Sequence, residues 1–60
     1  MGVALYRVYA IDADDRILSR IDLHCESDVD AIQKAQTLVD WHSVELWKDD
    51  KLLRAFAAKQ

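Results

Sequence analysis

The sequence predicts a small α+β domain of order ββαββ, in which one helix packs on a four-stranded sheet built from two hairpins. The 60 residues suffice for one domain with one core, residues 1–60, and 52% of them are apolar. Strand-like stretches occupy both ends of the chain, and one segment between them has apolar residues spaced three and four apart. Short runs of aspartate separate the strands of each pair.

The first hairpin is predicted from residues 3–11 and 16–25. The first stretch is rich in β-branched and aromatic residues, and the second alternates apolar and polar side chains, as a half-buried strand does. Residues 12–15 are Asp-Ala-Asp-Asp, and aspartate side chains accept hydrogen bonds from nearby backbone N–H groups in turns. A turn centred on this segment pairs Tyr6 with Ile21.

The helix is predicted to begin at Ser27, whose hydroxyl can cap the first free N–H groups. Acidic residues follow it, where the helix dipole favours negative charge. The helix should end between Asp40 and His42, and Trp41 is expected to close the edge of the core there. The apolar stripe of this helix consists of Ala31, Ile32, Ala35, Leu38 and Val39.

The second hairpin is predicted from residues 43–48 and 51–57, joined by a turn at residues 49–50. Two strand orders are compatible with this pattern. In the order 2-1-4-3 the first and last strands are parallel neighbours at the centre, whereas in 2-1-3-4 every pair is antiparallel. Residues 51–57 are more apolar than residues 43–48, as central strands are, which favours 2-1-4-3.

A single helix can cover only one face of this sheet. A two-residue turn in the second hairpin pairs Trp47 with Leu52 and Glu45 with Arg54, which fixes the face of each side chain. The aliphatic face, assigned to the helix, holds Tyr6, Val8, Ile17, Ile21, Leu23, Val44, Leu46 and Leu53. If the second hairpin were inverted, the outer face would still be apolar.

The uncovered face combines large apolar side chains with arginines, a composition typical of protein–protein interfaces and unlike a solvated sheet face. We therefore expect a non-enzymatic module that forms a homodimer or binds a protein partner through this face. The alternative is scattered exposure of a few apolar groups, which many small domains have. The predicted interface residues are Tyr9, Leu18, Trp47, Leu52, Phe56, Arg7, Arg20 and Arg54.

Metal and cofactor sites are not predicted. His24 and Cys25 are neighbours on a strand, so their side chains point to opposite faces, and His42 lies beyond the helix. Cys25 is expected to be a small buried residue. The aspartates of residues 12–15 begin like a calcium loop but lack its later glycine and glutamate.

Two further functions are weaker alternatives. Asp22 and His24 lie two apart on one strand face and could act as an acid–base pair in a small enzyme, although no nucleophile or phosphate loop accompanies them. The aromatic and arginine side chains of the open face could stack single-stranded nucleic acid. The net charge of −3 opposes that binding, and no basic stripe is present.

Two strand motifs and the segment between them resemble a group of short, uncharacterised bacterial proteins. In that group a Tyr-Arg-x-Tyr strand and a Val-Glu-Leu-Trp strand flank one helix, as residues 6–9 and 44–47 do here. The resemblance implies a free-standing bacterial protein and carries no activity. These proteins often have Gly-His in the first turn, where this chain has Asp15-Arg16. The element order also resembles the β-grasp of the immunoglobulin-binding domains of protein G, which implies a fold and no function.

The cellular setting is expected to be the cytoplasm. The single cysteine excludes an internal disulfide, which suits a reducing compartment. No apolar run approaches a membrane span, and the first residues lack the pattern of a signal peptide or a myristoylation site.

Overall fold

A computed structural model describes residues 2–58 and confirms the order ββαββ. The strands form one open sheet, with the helix on one side of it. The elements in chain order are β1 (Ala4–Ile11), β2 (Ile17–Cys25), α1 (Asp28–Thr37), β3 (Ser43–Lys48) and β4 (Lys51–Phe56).

The strand order is β2-β1-β3-β4, and every neighbouring pair is antiparallel. This is the second of the two orders compatible with the sequence, so the preference for 2-1-4-3 was wrong. Strand β3 lies at the centre because Val44 and Leu46 are both buried beneath the helix, Leu46 with 0% of its surface exposed. The apolar content of β4 misled the prediction because its side chains are divided between the two faces of an edge strand.

The register of the first hairpin differs from the prediction by two residues. Tyr6 lies opposite Leu23 instead of Ile21, because the loop between β1 and β2 is longer than a tight turn. A shift of two preserves the face of each side chain, since side chains alternate with period two. The Asp12 carboxylate holds the loop by accepting hydrogen bonds from the backbone N–H groups of Asp14 and Arg16, at 2.9 and 3.0 Å.

A register irregularity next to Ile11 turns the side chain of one residue to the other face of the sheet. Ile11 pairs with Ile17, so Ile17 lies on the side opposite the helix with 63% of its surface exposed. The prediction that Ile17 packs under the helix was therefore wrong. A β-bulge inserts one residue into one strand of a pair and re-aims the side chains beyond it. Here the additional residue on β2 is Leu18.

A second irregularity divides the other hairpin. Trp47 pairs with Leu52 as predicted, but beyond Leu53 the register changes, and Leu46 pairs with Arg54. Phe56 consequently lies on the helix side, where it packs against the core. The placement of Arg54 and Phe56 on the open face was wrong, because a bulge shifts every following residue to the other face.

The core lies between α1 and the middle of the sheet. Ser27 caps the helix as predicted, its hydroxyl accepting a hydrogen bond from the backbone N–H of Asp30 at 3.2 Å. Ala31 and Ala35 face the sheet, and their small side chains allow the helix backbone to approach it closely. Trp41 is 76% exposed, so it does not close the core edge as expected. The buried residues are Tyr6, Val8, Cys25, Ala31, Ala35, Val39, Val44 and Leu46.

Three polar side chains join the start of the helix to the sheet. The Tyr6 hydroxyl donates a hydrogen bond to Asp28 Oδ1 at 2.6 Å, and Lys48 Nζ lies 3.6 Å from the same oxygen. The ammonium group of Lys48 also lies 5.5 Å from the centre of the Tyr6 ring. The bond to Asp28, with burial and the negative charge of Asp28, raises the pKa of Tyr6 to about 12. The same bond and the charge of Lys48 lower the pKa of Asp28.

Candidate protein interface

The centre of the uncovered face is occupied by four side chains, which we call the central square: Arg7, Tyr9, Glu45 and Trp47. Arg7 pairs directly with Trp47, and Tyr9 pairs with Glu45, across the two central strands β1 and β3. These positions alternate with residues that are buried under the helix, so their side chains point away from it. The two aromatic residues lie on one diagonal of the square and the two charged residues on the other.

One hydrogen bond orders the acidic half of the square. Trp47 Nε1 donates to Glu45 Oε1 at 3.0 Å, which fixes the indole ring beside the carboxylate. Trp47, Glu45 and Tyr9 are each half-buried, whereas Arg7 is exposed. Large aromatic side chains held in one orientation lose little conformational entropy when a partner covers them.

Strand β2 extends the face on one side. Arg20 lies opposite Tyr9 and Asp22 lies opposite Arg7. Arg20 Nε is 3.5 Å from Asp22 Oδ1, and both side chains are about half exposed. An ion pair so accessible to water contributes little to stability. The pair has no net charge and forms a polar border beside the central square.

Two exposed apolar side chains flank the central square. Leu52 lies next to Trp47 on β4 and is 43% exposed, and Leu5 precedes Arg7 on the same face of β1 and is 41% exposed. With the aromatic residues of the square they form an apolar surface of the kind that another molecule covers.

A shallow groove of about 380 Å³ crosses this face. The central square forms its floor together with Ile17, and the two aspartates of the second turn border it. Sequence reasoning missed Ile17, because the irregularity that turns it outward has no sequence signature. It also missed Asp49 and Asp50, which were interpreted only as a turn. The sequence signal that could have found them is their position two and three residues after Trp47.

The predicted interface residues divide into three groups. The structure brings Arg7, Tyr9, Trp47, Leu52 and Arg20 together on the uncovered face. Leu18 is exposed, as the additional residue of the irregularity on β2. The remaining two residues are displaced to the helix side by the register change in β4; they are Arg54 and Phe56.

The residues of the alternative enzyme hypothesis, Asp22 and His24, lie on β2 outside the central groove. Asp22 is paired with Arg20, and His24 lies opposite Leu5 at the end of the first hairpin. Neither residue lines the central groove, or the two others found at the edges of the sheet. Within residues 2–58, no three His, Cys, Asp or Glu side chains converge in a way that could hold a metal ion. No helix in the same range is long and apolar enough to cross a membrane.

The electrostatics of the groove disfavour the nucleic-acid alternative. Arg7 is the basic residue in the groove, whereas Glu45, Asp49 and Asp50 also line it. Three carboxylates beside the aromatic rings repel the phosphates that would accompany stacked bases.

Comparisons of the chain with protein-family models, with curated proteins and with solved structures find no match. The resemblance to short bacterial proteins therefore stays a prediction. The implied β-grasp order does not hold, because the central strands β1 and β3 are antiparallel.

Proposed function

We propose that this protein is a non-enzymatic module that associates with a protein through the uncovered face of its sheet, in the cytoplasm. The observation that carries the proposal is the central square. Two aromatic and two charged side chains point away from α1, at the middle of the sheet, where a solvated face is ordinarily polar. Aromatic and arginine side chains are the residues that dominate binding energy at interfaces.

The thinness of the core supports the same proposal. Within residues 2–58, six buried side chains are larger than alanine, and they are Tyr6, Val8, Cys25, Val39, Val44 and Leu46. A domain of this size ordinarily gains stability from a disulfide, a metal or a partner. Cys25 is a free thiol. Covering Trp47, Tyr9 and Leu52 would remove their remaining exposed surface from water, which contributes for each side chain a part of the roughly 1.5–3 kcal/mol gained when an exposed large apolar group is fully buried.

Site-specific photo-cross-linking tests the proposal. The photoreactive residue p-benzoylphenylalanine replaces Leu52 on the uncovered face of the full chain, expressed with an affinity tag. The matched control carries it at Gln33, an exposed position on the helix. We expect one discrete cross-linked product from position 52 and none from position 33, with the partner identified by mass spectrometry.

A second substitution tests whether the cross-link depends on the central square. Trp47→Lys in the Leu52 variant removes the aromatic anchor next to the probe and should abolish the product, while circular dichroism shows that the sheet remains folded. Absence of any product from position 52, or equal products from positions 52 and 33, contradicts the proposed function.

A further inference from the structure

We infer that the occupant of the uncovered face is a second copy of this chain, packed face to face about a two-fold axis through the central square. This inference rests on the proposed function and names the partner of that same surface. It is carried by the arrangement of charge within the square, which is complementary to itself.

The square alternates charged and aromatic side chains in both directions. Along β1, Arg7 is followed on the same face by Tyr9, and along β3, Glu45 is followed by Trp47. Across the strands, Arg7 is beside Trp47 and Tyr9 is beside Glu45. Each charged residue therefore has an aromatic residue as its neighbour along its strand and across it.

Aligned sheets pack face to face about 10 Å apart, with strands of the two sheets nearly parallel or antiparallel. A two-fold axis that runs along the strands places Arg7 over the partner's Trp47 and Tyr9 over the partner's Glu45. An axis that runs across the strands places Arg7 over the partner's Tyr9 and Trp47 over the partner's Glu45. In both arrangements every charge faces an aromatic side chain, and no charge faces one of the same sign.

Both arrangements form contacts between charged and aromatic side chains that stabilise protein interfaces. A guanidinium group over an indole or phenol ring makes a cation–π contact, which strengthens when water is excluded. The Glu45 carboxylate already accepts a bond from Trp47 Nε1 through one oxygen. When the axis runs along the strands, its second oxygen can accept a hydrogen bond from the partner's Tyr9 hydroxyl. When the axis runs across the strands, Arg7 is also offset from the partner's Glu45 by one strand spacing, about 4.8 Å, and from the partner's Arg7 by two residues along the strand, about 6.7 Å. Opposite charges are then the nearer pair.

The dimensions of the molecule fit an interface of this kind. The Cα atoms span 38 × 20 × 15 Å. A standard interface buries about 800 Å² on each partner, so a dimer of standard size would use most of one broad face of a molecule this small. A dimer built on it would have two helices outside and two sheets inside. Each copy uses the same surface, as a closed two-fold dimer requires.

Sedimentation velocity of a charge-swap series tests the inference. The wild-type chain is measured from about 1 to about 500 µM, and we expect a dimer with a Kd below about 100 µM. Arg7→Glu and Glu45→Arg each place like charges together across the interface and should weaken the dimer roughly 100-fold. The double variant exchanges the two signs and should recover to within about tenfold of the wild-type Kd.

Lys34→Glu is the matched control, since it makes the same charge change as Arg7→Glu on the exposed side of the helix and should leave the Kd unchanged. Circular dichroism reports that each variant is folded, and the neutral Arg7→Gln should weaken the dimer without like-charge repulsion.

A wild-type chain that stays monomeric throughout the concentration range overturns the inference, as does a dimer that the swaps leave unchanged. The cross-linking experiment separates this failure from that of the proposed function. A product of one chain plus a different protein retains the function and rejects the second copy.

Discussion

At the scale of single residues, Tyr6 has two roles, of which the sequence predicts one. Its ring is part of the buried core, whereas its hydroxyl reaches the first turn of the helix and donates a hydrogen bond to Asp28. The sequence predicts only that the Tyr6 side chain lies on the face of the sheet that the helix covers. The partner of its hydroxyl depends on where the helix begins over the sheet, which is a tertiary relation.

The Tyr6–Asp28 bond predicts how stability depends on pH. The folded state raises the pKa of Tyr6 from 10.0 to about 12, so its contribution is complete below pH 10 and is lost as the pH rises through about 12. The pKa of Asp28 is lowered, so its contribution is present above the ordinary value of 3.8 and is lost as the pH falls below it. Thermal unfolding should show a plateau between these limits.

Tyr6→Phe removes the donor and should lower the melting temperature on the plateau by several degrees. The substitution should also remove the part of the fall in melting temperature at alkaline pH that comes from ionisation of the Tyr6 hydroxyl. Tyr9→Phe, measured at a dilution at which the chain is monomeric, is the control, since Tyr9 lies on the face of the sheet opposite Asp28. A Tyr6→Phe melting curve that follows the wild type up to pH 11 would contradict this role.

The turn residue Asp49 has a φ of 54°, in the left-handed region that glycine occupies without steric cost. We expect Asp49→Gly to raise the free energy of unfolding by about 0.5 kcal/mol, measured by urea denaturation. Asp50→Gly is the matched control in the same turn, because positive φ is confined to Asp15 and Asp49 among the described non-glycine residues. Asp50→Gly should leave the free energy of unfolding unchanged or lower it, because glycine raises the conformational entropy of the unfolded chain. Equal effects of the two substitutions would contradict the conformational explanation.

At the scale of elements, the sequence predicts each helix and strand but not how the strands pair. The cap at Ser27 is a local signal that the structure confirms, and Ala31 and Ala35 of the predicted apolar stripe are buried. The helix ends at Thr37 and not between Asp40 and His42, and Ile17 and Ile21 of β2 are exposed, so the predicted helix end and the predicted burial of these two isoleucines were wrong. The registers depend on one additional residue in β2 and one in β4. Such residues leave no local pattern, because their position depends on which side chains, such as Phe56, the core accepts. This is why the open face was predicted correctly at the centre and incorrectly at the end of β4.

The helix itself depends on its cap. At ten residues, α1 is too short to be stable in isolation, so its first turn needs the hydrogen bond from Asp30 N–H to the Ser27 hydroxyl. Ser27→Ala should lower the free energy of unfolding by about 1 kcal/mol in urea denaturation. Ser27→Asn retains a capping acceptor and should cost much less. A loss as large in the asparagine variant as in the alanine variant would show that the cap is not the cause.

At the scale of the whole molecule, folding and association are coupled if the second copy covers the open sheet. A protein of this length has a stability of only about 3–9 kcal/mol, so a partner that binds the folded chain changes that stability appreciably. Leu46 packs beneath the helix on the same strand whose outer face carries Trp47. Core and interface therefore share the two central strands, and they should unfold together.

This coupling predicts a melting temperature that rises with protein concentration. Each tenfold increase stabilises the dimer by about 1.4 kcal/mol relative to the unfolded chains, because dissociation accompanies unfolding. Leu46→Ala opens a cavity in the core and costs about 2–5 kcal/mol, so the dilute variant should unfold at a urea concentration at which the wild type is still folded. At that urea concentration, raising the protein concentration should refold the variant, whereas adding Arg7→Glu should abolish that rescue, as followed by circular dichroism. If the double variant refolds at the same concentration as Leu46→Ala alone, the rescue does not pass through the central square.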